Sequence, residues 1–307
     1  EAVAESFEIA RSYAGVTGEQ LKQSRNRAAF ERMAEQFGVS LDELPAALRD
    51  WNLFYARIRG RVSELAAEVG AAVVVGAPGR YLPPVDARTN AAYLVRSDGS
   101  FDPQRYDKIQ LVPGGEYLPW VGAIPGLKDL FIQYLTPYEH DYTLTAGRSA
   151  KVFTVPGEDG RPVRFVTPIC YEDVVARVMV RLMRPDQRRK PVDLIVNLTN
   201  SAWYSGSSQR VQHMQIASFR SIEHRTPTAR SVNTGISGVI DSAGRVVAVV
   251  EQDGESQRVA GVASASVRRD PRTSLFTKVG LWPAWVLAGG TLVLIVVGLI
   301  RGPRWPH

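Results

Sequence analysis

The chain has 307 residues, of which 45% are hydrophobic and 22% are charged, and its formal net charge is +6. This apolar content suffices for a full-sized core and excludes a chain that is disordered throughout. The basic residues accompany no zinc-finger spacing, basic zipper or RNA-binding aromatic signature, so we predict no nucleic-acid partner. The four histidines have no metal-ligand spacing and no glycine-rich phosphate loop follows a strand, so we predict neither a metal nor another cofactor.

Helix formers dominate the chain from residue 4 to about residue 69. The stretch 42–69 carries apolar residues at three-to-four spacing, which is typical of an amphipathic helix, and Pro45 suits its first turn. Short apolar runs at 71–76 and 91–96 then predict two buried strands.

A long segment, 113–149, combines prolines with many bulky apolar side chains, most of them between Trp120 and Leu135. Such a loop is unusual on the surface of a soluble protein. It is either buried or forms an apolar cover, and the sequence leaves both alternatives open.

Strands alternate with helices and hairpins in the second half of the chain. We predict helices from 173 and over 208–224, and strands at 151–155, 163–170, 193–197, 228–232, 236–241, 245–251 and 258–262. Alternation with short connections predicts a layered α/β domain whose helices lie outside the sheet.

The segment Leu281–Ile300 contains twenty residues and no charge, and tryptophans stand near both of its ends. At about 1.5 Å per residue, a helix of this length crosses the hydrocarbon layer of a membrane. We therefore predict a transmembrane helix over 281–300, with a buried core helix as the alternative. Arg301 and Arg304, just after it, predict a cytoplasmic C-terminus and a main domain on the other side.

Cys170 is the only cysteine, and it ends an apolar strand-like run. A lone cysteine cannot form an intramolecular disulfide, so it is either an inert small hydrophobe or a nucleophile. Its position at a strand end favours the nucleophile, because α/β folds place their chemistry there. Two acidic residues, Glu172 and Asp173, follow after Tyr171.

Three segments, 106–119, 169–172 and 197–237, together resemble the nitrilase (carbon-nitrogen hydrolase) superfamily. Within it they are most similar to the membrane branch, the apolipoprotein N-acyltransferases, and the similarity runs from about residue 71 to the final helix. The resemblance implies a nitrilase-like α-β-β-α sandwich in a catalytic domain over 1–278, followed by one C-terminal transmembrane helix over 281–300.

The family pattern implies a Glu-Lys-Cys triad in which Cys170 is the nucleophile and Lys108 stabilises the oxyanion. Without the motif, Lys108 would be read as a solvated surface lysine. Glu116 and Glu172 match two further acidic positions that the family uses in or near its site. The resemblance places Tyr171 beside the acyl pocket.

In this family the glutamate base follows the second strand of the domain and is preceded by a proline. The chain starts at Glu1, which is the candidate base, with Glu5 as the alternative. A helical insert over about 15–60 separates this glutamate from the next strand. The family's first strands and N-terminal membrane helices have no counterpart here, so we expect the chain to be a piece of a longer protein.

The resemblance implies that Cys170 takes an acyl chain from a phospholipid as a thioester and passes it to the α-amino group of an apolipoprotein's N-terminal cysteine. It also implies a bacterial inner-membrane location, with the catalytic domain on the periplasmic side. Trp120 and Trp203 are candidates for substrate contact, Trp203 also for framework packing, and His213 is expected to pack on a helix face. The alternatives are a membrane-tethered amidase or nitrilase and an inactive lipoprotein-binding fragment.

Overall fold

The computed structural model describes residues 16–24, 27–81, 87–119, 143–183, 190, 192–202 and 207–301. The chain divides into two compact units. The first unit comprises the residues up to Pro162 together with Thr167–Glu172. The second comprises Val163–Val166 and the residues from Asp173 onward.

The described part of the first unit, from residue 16 onward, starts with three helices, α1 (Gly18–Lys22), α2 (Arg27–Phe37) and α3 (Leu44–Val69). A capping box between Thr17 and Gln20 starts α1, and Gly70 ends α3 in the left-handed conformation at φ 61°. The three helices share a small core of buried side chains: Leu21, Phe30, Ala34 and Leu44. These helices therefore have a core of their own, and their role as an insert in the family fold stays a prediction.

An antiparallel sheet follows, in the order β1 (Val73–Tyr81), β2 (Ala87–Val95) and β3 (Tyr106–Asp107). Most of β2 from Ala91 to Val95 is buried, as the apolar run over 91–96 predicts. The short strand β3 pairs with the middle of β2, where Ala91 lies opposite Asp107 and Ala92 opposite Tyr106. This pairing fixes the backbone immediately before Lys108. A further short strand, β4 (Phe153–Val155), lies later in the same unit.

The strands of the second unit include β5 (Val163–Val166), β6 (Leu194–Thr199) and β7 (Thr228–Val232), which pair in parallel. The strands β8 (Gly238–Ile240) and β9 (Val246–Val249) continue the sheet in antiparallel order. Between these strands the chain forms a 3₁₀ helix (Cys170–Asp173) and the helices α4 (Ala176–Met183) and α5 (Gln209–His224). The predicted α/β class is confirmed.

The strand predicted over 258–262 is wrong, since these residues form no regular element. Arg258 has a left-handed backbone with φ 58°, which a strand cannot accommodate. Val262 is 93% exposed, so its apolar side chain is not held by a sheet face.

The described chain ends with α6 (Leu275–Val279) and α7 (Trp282–Arg301). No residue of α7 is buried, so the alternative of a buried core helix is wrong. Among the described residues, α7 is the one helix that is long and apolar enough to cross a membrane.

Candidate active site

Lys108 is buried in the first unit, with 1% of its surface exposed. The pairing of β2 with β3 leads into this position, and the Lys108 amide donates to the carbonyl of Asn90 at 2.8 Å. The Lys108 carbonyl in turn accepts from the amide of Gly147 at 2.7 Å. The alternative of a solvated surface lysine is therefore wrong.

Glu116 supplies the counter-charge for this buried ammonium group. The Lys108 Nζ atom lies 2.9 and 2.7 Å from the two carboxylate oxygens of Glu116. The same carboxylate accepts from the Val112 amide at 2.8 Å and from the Asn90 side chain at 3.3 Å. These contacts hold the lysine as a fixed cation, because a buried charge is tolerated only when it is paired and hydrogen-bonded.

Glu172 is fully buried and accepts hydrogen bonds from four groups. The Tyr106 hydroxyl lies 2.8 and 2.9 Å from its two oxygens. The amides of Ile109 and Gln110 donate at 2.7 and 2.9 Å, and the amide of Ile169 donates at 2.8 Å. One carboxylate thus holds both the segment that follows Lys108 and the segment that precedes Cys170.

Burial raises the pKa of the Glu172 carboxyl, while the hydrogen bonds from Ile169, Gln110, Tyr106 and Ile109 act in the opposite direction. Because these donors occupy both of its oxygens, the Glu172 carboxylate holds the backbone segments around Ile109 and Ile169 in position. Glu116 is likewise engaged by four hydrogen bonds.

Cys170 begins the 3₁₀ helix with a left-handed backbone, φ 52°. This conformation costs a residue with a side chain about 1–2 kcal/mol, so surrounding contacts must maintain it. Its thiol is in no disulfide and the residue is half-buried, as is Tyr171. A half-buried cysteine in a constrained turn fits the partly exposed setting that is typical of reactive cysteines.

The structure thus brings Lys108, Glu116, Cys170 and Glu172 into one compact unit. Their catalytic roles stay predictions. Glu1, Glu5, Trp120 and Trp203 lie outside the described residues, as does the apolar segment from Trp120 to Leu135.

Asn90 and His213 have larger roles in the structure than their sequence context predicts, which is no role for Asn90 and packing on a helix face for His213. Asn90 follows Arg88 and Thr89 in the polar first half of β2, so no signal in the strand pattern marks it. His213 is buried and its Nε2 atom lies 2.5 Å from the Asp173 carboxylate, so its role extends beyond packing.

The carbon-nitrogen hydrolase family model matches residues 50–272 of the chain. The chain is 36% identical over 213 residues to apolipoprotein N-acyltransferase 2 of Treponema pallidum (strain Nichols), covering 69% of this chain and 34% of that protein. It is 30% identical over 253 residues to apolipoprotein N-acyltransferase of Geobacter metallireducens, covering 80% of this chain and 43% of that protein. A solved amidase from Nesterenkonia sp. is 18% identical, covers 64% of this chain and 62% of its own, and has a TM-score of 0.44.

The chain spans between 34% and 43% of the length of these two curated relatives. The family match, over 50–272, covers well over half of the 307 residues and confirms both the superfamily and the nitrilase-like fold class predicted from the motifs. The predicted similarity to apolipoprotein N-acyltransferases is confirmed as well. The chain belongs to the carbon-nitrogen hydrolase family.

Proposed function

We propose that the chain carries the catalytic domain of a membrane acyltransferase, which moves an acyl chain from a phospholipid to the α-amino group of a lipoprotein's N-terminal cysteine. The observation that carries the chemistry is the buried Lys108–Glu116 pair in the same compact unit as Cys170. The similarity to proteins named apolipoprotein N-acyltransferase supports the choice of donor and acceptor.

In the first half of the reaction, the Cys170 sulfur attacks the ester carbonyl of the phospholipid. The thiol proton passes to a carboxylate, for which Glu1 is the candidate and Glu5 the alternative. Lys108 stabilises the oxyanion of the tetrahedral intermediate. The ester C–O bond then breaks, the proton moves to the leaving oxygen, and lysophospholipid departs from a Cys170 thioester.

In the second half, the neutral α-amino group of the lipoprotein attacks the thioester carbonyl. The C–S bond breaks, an amide forms, and the proton lost by the amine restores the thiol. Glu116 holds the Lys108 ammonium in place during both halves, and Glu172 positions the two backbone segments. Tyr171, Trp120 and Trp203 are the residues that we propose for substrate contact.

Residues 1–278 form the catalytic domain in this proposal, and 281–300 form its membrane anchor. The apolar side chains of α7, none of which is buried, support this assignment. We place the domain on the periplasmic side of the bacterial inner membrane because of the similarity to the acyltransferase family. The proposed orientation rests on this similarity and not on Arg301 and Arg304, because four basic residues precede α7 as well: Arg268, Arg269, Arg272 and Lys278.

The test follows a phospholipid whose acyl chain is labelled. The full chain in mixed micelles should acquire a label that hydroxylamine removes, and Cys170→Ala should acquire none. Adding a diacylglyceryl-cysteine peptide should then transfer the label to the peptide as a hydroxylamine-resistant amide. Acylation of the alanine variant would contradict the mechanism.

Two other outcomes would select the alternatives. Release of the label as free fatty acid, with no amide formed, would identify a membrane-tethered hydrolase that passes the same thioester to water. A chain that binds the lipopeptide but forms no adduct would be the inactive lipoprotein-binding fragment.

A further inference from the structure

A second buried polar cluster lies in the second unit, centred on Asp173. The His213 Nε2 atom lies 2.5 Å from one carboxylate oxygen of Asp173, and Arg230 Nη1 lies 2.8 Å from the other. Arg230 also donates to Asn197 at 3.1 Å, and the Thr199 hydroxyl donates to the same Asn197 oxygen at 2.6 Å. We call these five residues the Asp173 cluster.

Asp173 ends the 3₁₀ helix, and three further elements of the second unit supply the other members of the cluster. Asn197 and Arg230 are register partners on the neighbouring parallel strands β6 and β7. His213 comes from α5, which presents its buried face with Met214 and Ala217. A cation and a hydrogen-bond donor from separate elements therefore converge on one carboxylate.

Because this cluster is buried, its hydrogen bonds and ion pair are shielded from solvent. The side chains of Asp173, His213 and Arg230 are exposed by 3%, 1% and 1%. An ionised carboxylate only accepts, so His213 donates from Nε2. Removing His213 or Arg230 would leave the buried Asp173 carboxylate without one of its partners, which is energetically costly. These contacts therefore hold the Asp173 side chain firmly in position.

Asp173 is also the last residue of the 3₁₀ helix that Cys170 begins. Cys170 has a strained left-handed backbone, and such a conformation persists only where neighbouring structure determines it. The Glu172 amide donates to the Ile169 carbonyl at 3.2 Å within this turn, but the Asp173 side chain is the one anchored by an ion pair.

We propose that His213 and Arg230 are positioning residues for the nucleophile: through Asp173 they hold the short helix that sets the conformation of Cys170. The acylation readout below rests on the proposed function, whereas the alkylation readout does not. Neither residue takes part in proton transfer with the substrate in this proposal.

The chain offers a matched pair of histidines for the test. His213 and His224 lie on the same helix, α5, and are exposed by 2% and 1%. His224 hydrogen-bonds through Nδ1 to Thr277 at 2.9 Å instead of to Asp173. The comparison is therefore His213→Leu against His224→Leu in the full chain, with His213→Gln as a variant that keeps a donor near the Nε2 position.

Two measurements are made on each variant. The first is the rate of iodoacetamide alkylation, which reports Cys170 alone because the chain has no other cysteine. The second is kcat and KM for acylation by phospholipid. We expect His213→Leu to change the alkylation rate by about fivefold or more and to lower kcat about tenfold to a hundredfold with KM unchanged, because small misplacements of a reacting group have large effects.

His224→Leu and His213→Gln should both stay within about threefold of the unmodified chain, because Asp173 keeps its donor in each. Equal alkylation rates and equal kcat for the two leucine variants would overturn the proposal. If His213→Leu does not fold, Asp173→Asn, which keeps the side-chain volume, takes its place, and wild-type kinetics in that variant would overturn the proposal equally. Acylation that survives Cys170→Ala would refute the proposed function instead, and the alkylation comparison would still decide this inference.

Discussion

Removing Glu116 should expose how strongly the first unit depends on the buried ion pair. The Lys108 ammonium group is 1% exposed and has the Glu116 carboxylate as its paired charge at 2.7 Å. Breaking a buried pair by deleting one partner typically costs about 3–5 kcal/mol, because the remaining charge stays desolvated. We expect Glu116→Leu to lower the free energy of unfolding by about this amount.

A second variant separates the effect of the unpaired Lys108 charge on stability from the effect of the other hydrogen bonds that Glu116 accepts. Lys108→Met with Glu116→Leu replaces the pair by apolar groups, which is often close to neutral. The Val112 amide and the Asn90 side chain still lose their acceptor, and each unsatisfied buried group costs about 1–3 kcal/mol. The double variant should therefore be more stable than Glu116→Leu, and both should be less stable than the unmodified chain.

The assay is urea unfolding of the full chain in detergent, followed by near-ultraviolet circular dichroism, with acylation measured on the same samples. Glu64→Leu is the control, because the Arg61–Glu64 pair is solvent-exposed at 81% and 57% and should contribute nothing measurable. The double variant should also lose about a hundredfold in acylation rate, since an oxyanion donor is worth about 3 kcal/mol.

Two results would refute this reasoning. If Glu116→Leu is no less stable than Glu64→Leu, the Lys108 ammonium does not depend on Glu116. If the double variant acylates at nearly the normal rate, Lys108 is not the oxyanion donor, whatever its contribution to stability.

Three further predictions follow from individual contacts. Tyr106→Phe should cost about 1–3 kcal/mol of unfolding free energy, because the buried Glu172 carboxylate loses a donor, and an unchanged urea midpoint would contradict this. Burial, Arg220 and Lys190 lower the pKa of His224 from 6.5 to about 3. The stability that the neutral imidazole contributes should therefore be lost as pH falls below about 6.5, by at most about 1.4 kcal/mol per pH unit. The unfolding free energy of His224→Gln should vary less over this range, and a pH dependence identical to that of the unmodified chain would argue against burial of a neutral imidazole. The full chain should resist carbonate extraction from membranes, whereas a chain ending at Lys278 should not, and equal retention of both would exclude α7 as the anchor.

Local sequence patterns predicted most of the helices and strands correctly. The three-to-four spacing of apolar residues predicted α3, and the helix predicted over 208–224 corresponds to α5. The strand predicted over 258–262 failed for a reason that no local pattern contains. A strand needs a partner, and the left-handed backbone at Arg258 turns the chain away from extended geometry.

For the candidate site, too, the sequence identified residues but not their contacts. The sequence singled out Cys170 as the only cysteine, and the motif resemblance selected Lys108, Glu116 and Glu172. These residue types agree with what acyl-transfer chemistry requires, namely a thiolate, a cation and carboxylates, and their catalytic roles stay predictions. Nothing in the local pattern indicated that Lys108 is buried or that its ammonium contacts both oxygens of Glu116.

The tertiary structure alone decided which carboxylate serves which purpose. Glu172 and Asp173 are adjacent in sequence, yet Glu172 accepts from Tyr106 and from backbone amides, while Asp173 accepts from His213 and Arg230. The partners of Asp173 lie 40 and 57 residues away along the chain, so they are brought to it only by the packing of α5 and the register of β7. Sequence determines which chemical groups are available, but hydrogen bonds between distant residues depend on how the elements pack, and that packing is what places these groups within bonding distance.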